Sequence, residues 1–329
     1  MARAAVVRRV PGAAPVRARA PRPLEVAVRP AWTYRLARGG RGDGVLRARG
    51  GVVTRLLHVG EHPVVVHAWQ PSADRVLLRA VPASGPIPAE ALELAIERMR
   101  FALGVDVDLS EFARAFRGDP LIGAAIHHRP WHRPRRRPVA WEALAWAVTE
   151  QLIEAARAGQ IQRRIVRRWG PRLQPGTSAA WGGRGPLRDV PAPAVIAGLA
   201  PAELAAFDLA PSRAIALVRV AREVAAARVD AACASGDRRL LRIPGIGPWT
   251  VQVLGLAGRG DPDSLPAGDL AYVKLVGMLA GLRRRATVEE VQEYFAPYAP
   301  FRGLAGSFAL VRWHGAVAQG PPLRLAEAR

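Results

Sequence analysis

The sequence predicts an α+β fold in which a small antiparallel sheet with one helix is followed by an all-helical core. Residues 45–81 are rich in Val and Leu and are broken by Gly, Pro, Asp and Ser, which is typical of short strands. From residue 88 onward, apolar residues recur at three- and four-residue spacing, which indicates amphipathic helices. The stretch LRIPGIGPWT at residues 241–250 interrupts this pattern with a glycine-containing turn and predicts a helix, a hairpin and a second helix.

The N-terminal part of the chain divides into a tail and a small domain. Residues 1–23 contain mainly Arg, Ala and Pro without a long apolar run, so we expect a disordered basic tail and no secretory signal. Residues 24–104 are expected to form an α+β domain, in which Arg47, Arg49 and Arg55 alternate with apolar positions. This alternation predicts a sheet with one face in solvent.

The helical core is predicted over residues 105–319, with a tail at residues 320–329. Residues 127–138, HHRPWHRPRRRP, are broken by Pro and are interpreted as an exposed basic loop. Three arginines of this loop are available for phosphate contacts: Arg135, Arg136 and Arg137. The histidines of the loop have neither a Cys nor a fourth ligand at suitable spacing, so we expect no metal site.

Composition restricts the class of protein. The 329 residues are 50% hydrophobic, which suffices for two or three domains, and no apolar run reaches the ~18–20 residues of a membrane span. The net charge of +21 predicts a polyanionic partner, with nucleic acid the first candidate, although an Arg-rich composition accounts for part of the charge. The single cysteine, Cys233, excludes an internal disulfide and a four-cysteine iron–sulfur cluster. We expect a buried Cys233 in a protein of the reducing cytoplasm.

The hairpin is predicted from its prolines and glycines. Pro244 ends a short helix over residues 237–243, and a second helix over residues 248–257 begins with a proline in its first turn. Gly245 and Gly247 are expected to adopt backbone conformations that strain other residues. The hairpin amides then face one way and form an anion site suited to a DNA phosphate.

The PGIG sequence, followed by Trp-Thr and by PAGD at residues 266–269, resembles the helix-hairpin-helix DNA glycosylase superfamily, and within it bacterial 3-methyladenine DNA glycosylase II. The resemblance covers roughly residues 90–318. It implies that Asp269, 22 residues after Gly247, lies in the base pocket and stabilises the positive charge that develops on the sugar. From the sequence alone Asp269 can also be a helix N-cap, and the two roles are compatible. The resemblance further implies DNA-backbone contacts by the hairpin residues Gly245, Ile246, Gly247 and Thr250.

Residues 141–152, WEALAWAVTEQL, resemble the family helix that ends in Gln and a bulky apolar residue. This resemblance implies that Gln151 and Leu152 contact DNA, and that Leu152 fills the gap left by the flipped nucleotide. The helical spacing alone favours Leu152 as a core residue, so both hypotheses stay open. Glu154 departs from the family pattern, in which this position usually carries Ser or Thr. Since a carboxylate close to DNA would be repelled, either Glu154 faces away from DNA or this loop docks differently.

Trp249 matches the aromatic pocket position of the family, where a ring can stack on a cationic alkylated purine. The alternative is that Trp249 is a core residue that braces the hairpin. A second ring is expected from the last helix, supplied by Trp313 or Phe308. Val253 and Leu270 stand where some relatives have Tyr, so the expected pocket is apolar but has fewer rings. This departure leaves the substrate range undetermined and does not affect the expected reaction type.

The resemblance implies a monofunctional DNA N-glycosylase that excises alkylated purines by base flipping and Asp-assisted hydrolysis of the glycosidic bond. Trp249 occupies the position at which lyases of the superfamily carry a nucleophilic lysine, and Lys274 is the only lysine of the chain. The alternatives are a non-catalytic helix-hairpin-helix DNA-binding protein and a glycosylase for oxidised or mismatched bases.

The expected partner is double-stranded DNA with damaged bases. We expect a cytoplasmic, nucleoid-associated bacterial monomer without a membrane partner. No metal or other cofactor is expected, and a monovalent cation at residues 245–247 is left open.

Overall fold

The computed structural model describes residues 22–36, 42–174 and 185–319, with side chains as far as residue 313 in the last helix. Over these residues the predicted α+β architecture is confirmed, because a five-stranded sheet precedes a helical region. Most of both predicted tails lies outside the described residues. The predicted domain division at residue 104 stays a prediction.

The sheet is antiparallel throughout, with the strand order β1-β5-β4-β3-β2. Its strands are β1 (Leu24–Val28), β2 (Leu46–Arg49), β3 (Val52–Val59), β4 (His62–Ser72) and β5 (Arg75–Pro82). Gly50 and Gly51 both have positive φ and join β2 to β3 in a tight turn. Helix α1 (Ala89–Leu103) packs on the sheet and buries Ile96 and Met99 in a shared apolar core.

The second face of this sheet is not in solvent at Arg55, where the sequence interpretation is wrong. Arg55 is 1% exposed, and its Nη2 lies 2.6 Å from Glu142 Oε2 and 3.3 Å from Asp189 Oδ1. Alternation of polar and apolar residues along a strand identifies a polar face. It does not show whether that face contacts water or buried carboxylates. This arginine belongs to a set of ion-paired residues that we call the buried charge cluster, comprising Arg55, Arg137, Asp43, Glu142 and Asp189.

The helical region contains twelve further described helices, two of which flank the predicted hairpin. They are α2 (Ser110–Phe116), α3 (Gly123–His128), α4 (Ala140–Glu150), α5 (Ala155–Trp169), α6 (Pro193–Ala197), α7 (Pro201–Ala205), α8 (Pro211–Ala225), α9 (Asp237–Leu240), α10 (Pro248–Val253), α11 (Leu270–Leu279), α12 (Val288–Phe295) and α13 (Arg302–Gln319). Helix α10 continues as a π-helical turn over Leu254–Arg259, two residues beyond the predicted end at residue 257. Two short strands, β6 (Arg172–Leu173) and β7 (Leu187–Arg188), pair antiparallel.

Two apolar cores divide the helical region. One contains α4, α5 and α8 and receives Ile246 of the hairpin and Leu254 of the π turn. The other contains α2, α3 and α11 to α13, with Tyr272 of α11 among its buried residues. The segment between the π turn and α11 therefore crosses from one core to the other, and it ends at Asp269.

The predicted exposed basic loop is largely packed against the protein. Arg137 Nη1 lies 2.5 Å from Asp43 Oδ2 and 3.1 Å from Glu142 Oε1. Arg136 lies over the ring of Phe101 and donates a hydrogen bond to Gly260 O. Of the three arginines only Arg135 is exposed, so the prediction of phosphate contacts is wrong for Arg137 and unsupported for Arg136. A run of arginines identifies the charge but not the acidic partners that are distant in sequence.

Two expectations about burial are wrong in opposite directions. Cys233 is exposed, because it lies in the turn before a 3₁₀ helix at Ala234–Gly236. Phe308 is 1% exposed and packs between Phe112 and His132, at ring-centroid distances of 5.3 and 4.8 Å. Phe308 is thus a core residue and cannot line an open base pocket.

Candidate active site

The two glycines of the hairpin, residues 244–247, have different conformations. Gly245 has φ +92°, a value strained for any residue with a side chain, and a Cβ there would lie 3.0 Å from the Ala216 Cβ. Gly247 has φ −110° and ψ 178°, an extended conformation open to any residue, and a Cβ there would meet no atom within 4 Å. The prediction that the backbone requires a glycine is therefore confirmed at Gly245. It is wrong at Gly247, where the conformation is open to any residue.

The hairpin is anchored on its inner side and exposed on its outer side. Ile246 is buried in the first helical core, and its amide donates a 2.9 Å hydrogen bond to Ile243 O. Pro244 and Gly245 are exposed, and Gly247 is half-buried. An exposed backbone turn with a fixed inner anchor can approach a phosphate without rearrangement.

Gln151 joins the end of α4 to the hairpin. Its Nε2 donates to Gly245 O and to Thr250 Oγ1, both at 2.9 Å. Thr250 is 1% exposed, so its hydroxyl serves this internal contact. The structure brings Gln151 and Thr250 together at the hairpin, where both help to fix its position. Direct DNA contact by either residue stays a prediction.

Leu152 follows at once and projects from the surface. Its side chain is 94% exposed, which contradicts the core hypothesis and leaves the wedge hypothesis as the one compatible with the structure. Its φ is +56°, in the left-handed region that costs a residue with a side chain about 1–2 kcal/mol. The turn after α4 thus holds a large apolar side chain in water at a conformational cost.

Asp269 occupies the N-cap of α11. Its Oδ1 accepts a 2.8 Å hydrogen bond from the Ala271 amide, and the side chain is partly buried. Within the described part of the chain Oδ2 accepts no hydrogen bond, so one oxygen is fixed and the other is available. The cap role is confirmed, and the catalytic role stays a prediction.

Trp249 lies beside the residue that precedes this carboxylate. A Cβ built on Gly268 would be 3.8 Å from Trp249 Cβ and 3.9 Å from its Cδ1. The indole is half-buried, so it braces the turn before Asp269 and still presents part of its surface. Trp313 is half-buried against the second helical core, the one that contains α11, and its pocket role stays a prediction.

A second carboxyl group near Asp269 was missed in the sequence. Glu150, the last residue of α4, accepts a 3.0 Å hydrogen bond from Gln162 Nε2, and its Oε1 lies 3.9 Å from Arg137 Nη2. Burial raises the pKa of Glu150, with the Asp43 and Asp269 charges acting in the same direction, although Arg137 and Gln162 oppose the shift. A Glu that ends an apolar helix next to the Gln-Leu pair was the available indication.

No family model matches the chain, whereas comparison with known proteins finds sequence relatives. The chain is 22% identical over 260 residues to DNA-3-methyladenine glycosylase of Bacillus subtilis, covering 77% of this chain and 84% of that protein. It is 29% identical over 236 residues to a Mycobacterium tuberculosis protein described as a probable bifunctional transcriptional activator/DNA repair enzyme AlkA, covering 70% of this chain. That alignment spans 45% of the mycobacterial protein.

The solved structure of 3-methyladenine DNA glycosylase from Archaeoglobus fulgidus superposes with a TM-score of 0.72, covering 88% of this chain and 98% of that one at 17% identity. The protein has the helix-hairpin-helix DNA glycosylase fold. In this fold Asp269 stands at the start of α11, which packs in the second helical core, whereas Ile246 of the hairpin packs in the first.

Two negative findings apply to the described residues alone. They contain no group of three His, Cys, Asp or Glu side chains arranged to hold a metal ion. None of their helices is both long enough and apolar enough to cross a membrane.

Proposed function

We propose that the protein is a monofunctional DNA N-glycosylase that excises alkylated purines of the 3-methyladenine type. The observation that carries the proposal is the Asp269 carboxylate, fixed through one oxygen at the start of α11 and directly after Gly268, which lies beside Trp249 of the hairpin helix. Sequence similarity to DNA-3-methyladenine glycosylase of B. subtilis supports the substrate class.

Binding begins at the DNA backbone. The exposed hairpin at Gly245 to Gly247 approaches a phosphate, and Ile246 and Gln151 keep the turn in place from the protein side. Leu152 then enters the duplex and fills the space of the flipped nucleotide, which offsets part of the few kcal/mol needed to unstack it. Its exposure in water supports this role, because the exposed apolar surface is buried only in the complex.

The flipped base stacks on the accessible face of Trp249, with Trp313 as the proposed second ring. A purine alkylated on a ring nitrogen carries positive charge, and an indole face attracts such a cation. The bond between the sugar and the base breaks through an oxocarbenium-like state, which the Asp269 charge stabilises. Asp269 also orients the water that attacks C1′ and accepts its proton.

The proposed reaction stops after base removal. A lyase needs an amine at C1′, and Trp249 stands where an amine would be required. Lys274, the only lysine in the sequence, is exposed on α11 and five residues beyond the carboxylate, more than one helical turn away. Water is therefore the nucleophile, and the product is an intact strand with an abasic site.

Borohydride reduction during turnover tests this point. We expect free base, no trapped protein–DNA adduct and no strand break, because Lys274 is the only lysine of the sequence and lies more than one helical turn from Asp269. An adduct that disappears in Lys274→Ala would overturn the monofunctional assignment.

The remaining parts of the proposal concern partners. The net charge of +21 favours double-stranded DNA as the partner, and one chain supplies every group that the reaction uses, so we propose a monomer. Hydrolysis of this kind requires no cofactor. A monovalent cation at residues 245–247 stays a prediction; Gly245 O and Gly247 O already accept hydrogen bonds, so a cation there would share them.

The test is release of methylated bases from alkylated duplex DNA by the purified protein. Free 3-methyladenine in the soluble fraction is the expected result. Binding to the same DNA without release would instead support a non-catalytic DNA-binding protein. Release of oxidised bases but not of methylated ones would support the alternative glycosylase.

A further inference from the structure

A cleft of about 600 Å³ lies between the N-terminal sheet and the first helical core, and arginines line it. We call it the arginine cleft; its arginines are Arg47 of β2, Arg163 and Arg167 of α5, and Arg188 of β7. Of the described residues that line the cleft, Asp43 alone has a carboxylate. The Asp43 side chain is fully buried and lies 2.5 Å from Arg137 Nη1. The positive charge of the cleft is therefore not neutralised by its own carboxylate.

Two of these arginines are neighbours on one face of α5. Arg163 and Arg167 are four residues apart, a spacing at which like charges destabilise a helix. Both are exposed, whereas Ile165 and Val166 between them are buried in the first helical core. Among the described residues no carboxylate forms an ion pair with either arginine, and Arg163 Nε donates a 2.9 Å hydrogen bond to Gly42 O.

A second pair of like charges lies on the β6–β7 ribbon. Arg172 stands directly opposite Arg188 in this antiparallel pair, and like charges in that position destabilise a sheet. The alternate residues, Leu173 and Leu187, are buried, so the arginines occupy the other face. Burial lowers the pKa of Arg188, and the charges of Arg172 and Arg167 lower it further. The charges of the ribbon and of α5 therefore act on each other across the cleft.

An arginine-rich composition does not by itself bring two pairs of like charges together. Such an arrangement costs stability unless an anion lies between the charges. The stretches that precede Gly42 and Gly185 in the sequence, residues 37–41 and 175–184, contain three further arginines and no Asp or Glu. A polyanion from outside the chain is the ligand that fits this charge.

The arginine cleft is separate from the proposed wedge. Helix α5 begins three residues after Leu152, and a rise of ~1.5 Å per residue puts Arg163 and Arg167 ~12–18 Å further along the helix. Leu152 projects from the surface, whereas α5 passes into the protein and is buried at Ile161. A DNA segment in the cleft is therefore distinct from the one that Leu152 would enter.

We propose that the arginine cleft binds the phosphodiester backbone of a second DNA duplex while the hairpin holds the first. The proposal rests on DNA as the partner and goes beyond base release. Guanidinium groups bind phosphate oxygens through paired hydrogen bonds, so several arginines in one cleft suit a backbone. Backbone contacts carry no base information, and the second duplex therefore needs no damaged base.

A capture assay tests the second site. A short duplex with an abasic-site analogue is immobilised and loaded with the full-length protein, excess protein is washed away, and a labelled undamaged duplex is added. The wild type should retain the labelled duplex. The logarithm of its binding constant should fall linearly with the logarithm of salt concentration, because phosphate contacts release counterions.

The double variant Arg163→Gln/Arg167→Gln should weaken binding of the labelled duplex about tenfold or more and reduce the salt slope by about two. Its binding to the immobilised duplex, its single-turnover release of 3-methyladenine and its unfolding midpoint should match the wild type. Arg164→Gln/Arg168→Gln is the matched control, because it removes the same charge from exposed positions of α5 that do not line the cleft. The control should retain the labelled duplex as the wild type does.

Three results would overturn the second site. The first is a wild type that does not retain the labelled duplex, and the second is an equal loss of retention in both double variants, which would assign the effect to general surface charge. The third is an equal loss of binding to the immobilised duplex in Arg163→Gln/Arg167→Gln, which would place the cleft on the first DNA. Release of methylated bases is measured separately, so its absence in the wild type would overturn the proposed function and leave the cleft intact.

Discussion

At the residue scale, the two hairpin glycines separate folding from DNA binding. Gly245→Ala should destabilise the protein by about 1–2 kcal/mol, because φ +92° is strained for alanine and the new methyl meets Ala216. Gly247→Ala should leave stability unchanged, since its conformation is extended and its surroundings are open. It should nevertheless weaken binding, because the added methyl stands between the hairpin and a phosphate.

Urea unfolding and DNA binding of both variants check this pair. Binding by Gly247→Ala should fall alike on damaged and undamaged duplex, since a backbone contact carries no base information. A loss confined to one lesion, or a stability loss equal to that of Gly245→Ala, would contradict the assignment.

Several residue-level features could be predicted from sequence and others could not. The sequence supplied both hypotheses for Asp269. Its position before an apolar helical run indicated the cap, since a helix start needs an acceptor there, and the family resemblance implied the catalytic role. Helical spacing placed Leu152 in the core, but α4 ends at Glu150, so the spacing no longer applied. The sequence could not show that Arg55 is buried, because its partners Glu142 and Asp189 lie 87 and 134 positions away along the chain.

At the element scale, the turn between α4 and α5 is the proposed wedge. Leu152→Ala should lower excision from duplex DNA about tenfold or more, since burying a leucine side chain contributes about 1.5–3 kcal/mol. Excision from single-stranded DNA and protein stability should be unchanged, because the residue is 94% exposed. Leu94→Ala on α1, also exposed, is the control and should affect neither substrate.

Paired single-turnover assays on duplex and single strand measure this effect. Equal losses on both substrates would mean that Leu152 contacts the base or the backbone and does not fill a gap in the duplex.

The elements themselves were largely predictable, and their ends were less so. Proline and glycine marked the hairpin correctly, because their backbone limits are local. The π turn after α10 and the β6–β7 pair depend on packing against distant segments, which no local pattern encodes. The same holds for the basic loop, because ion pairs with Asp43 and Glu142 determine the position of the Arg137 side chain.

At the scale of the whole molecule, the buried charge cluster joins the sheet to the helices. Arg55→Met should destabilise the protein by about 3–5 kcal/mol, because Glu142 and Asp189 lose a buried partner. Arg79→Met, at an exposed position of β5, is the matched control and should cost little. Urea unfolding measures both, and equal stability of the two variants would show that the cluster does not join the two parts.

The cluster also predicts the acid limit of stability. Burial alone would raise the pKa of Asp43 and Asp189, but the neighbouring guanidiniums and, at Asp189, His58 hold both pKa values below the usual range. The stability that they contribute is therefore complete above about pH 3.9, the pKa of an unfolded aspartate, and is lost as pH falls through the lower folded values. Urea unfolding as a function of pH measures this effect. A fall in the free energy of unfolding between pH 8 and pH 5 in the wild type would show that Asp43 and Asp189 do not set the acid limit.

The central claim is that the Asp269 carboxylate drives base release, and single-turnover excision by Asp269→Asn tests it most directly. Asparagine keeps the cap on α11, since its side-chain oxygen can still accept from the Ala271 amide. Binding to damaged duplex and the unfolding midpoint should therefore match the wild type. The rate of 3-methyladenine release should fall about 10²–10³-fold, because the sugar cation loses its counter-charge. Release at the wild-type rate would contradict the account and leave Asp269 as a helix cap alone.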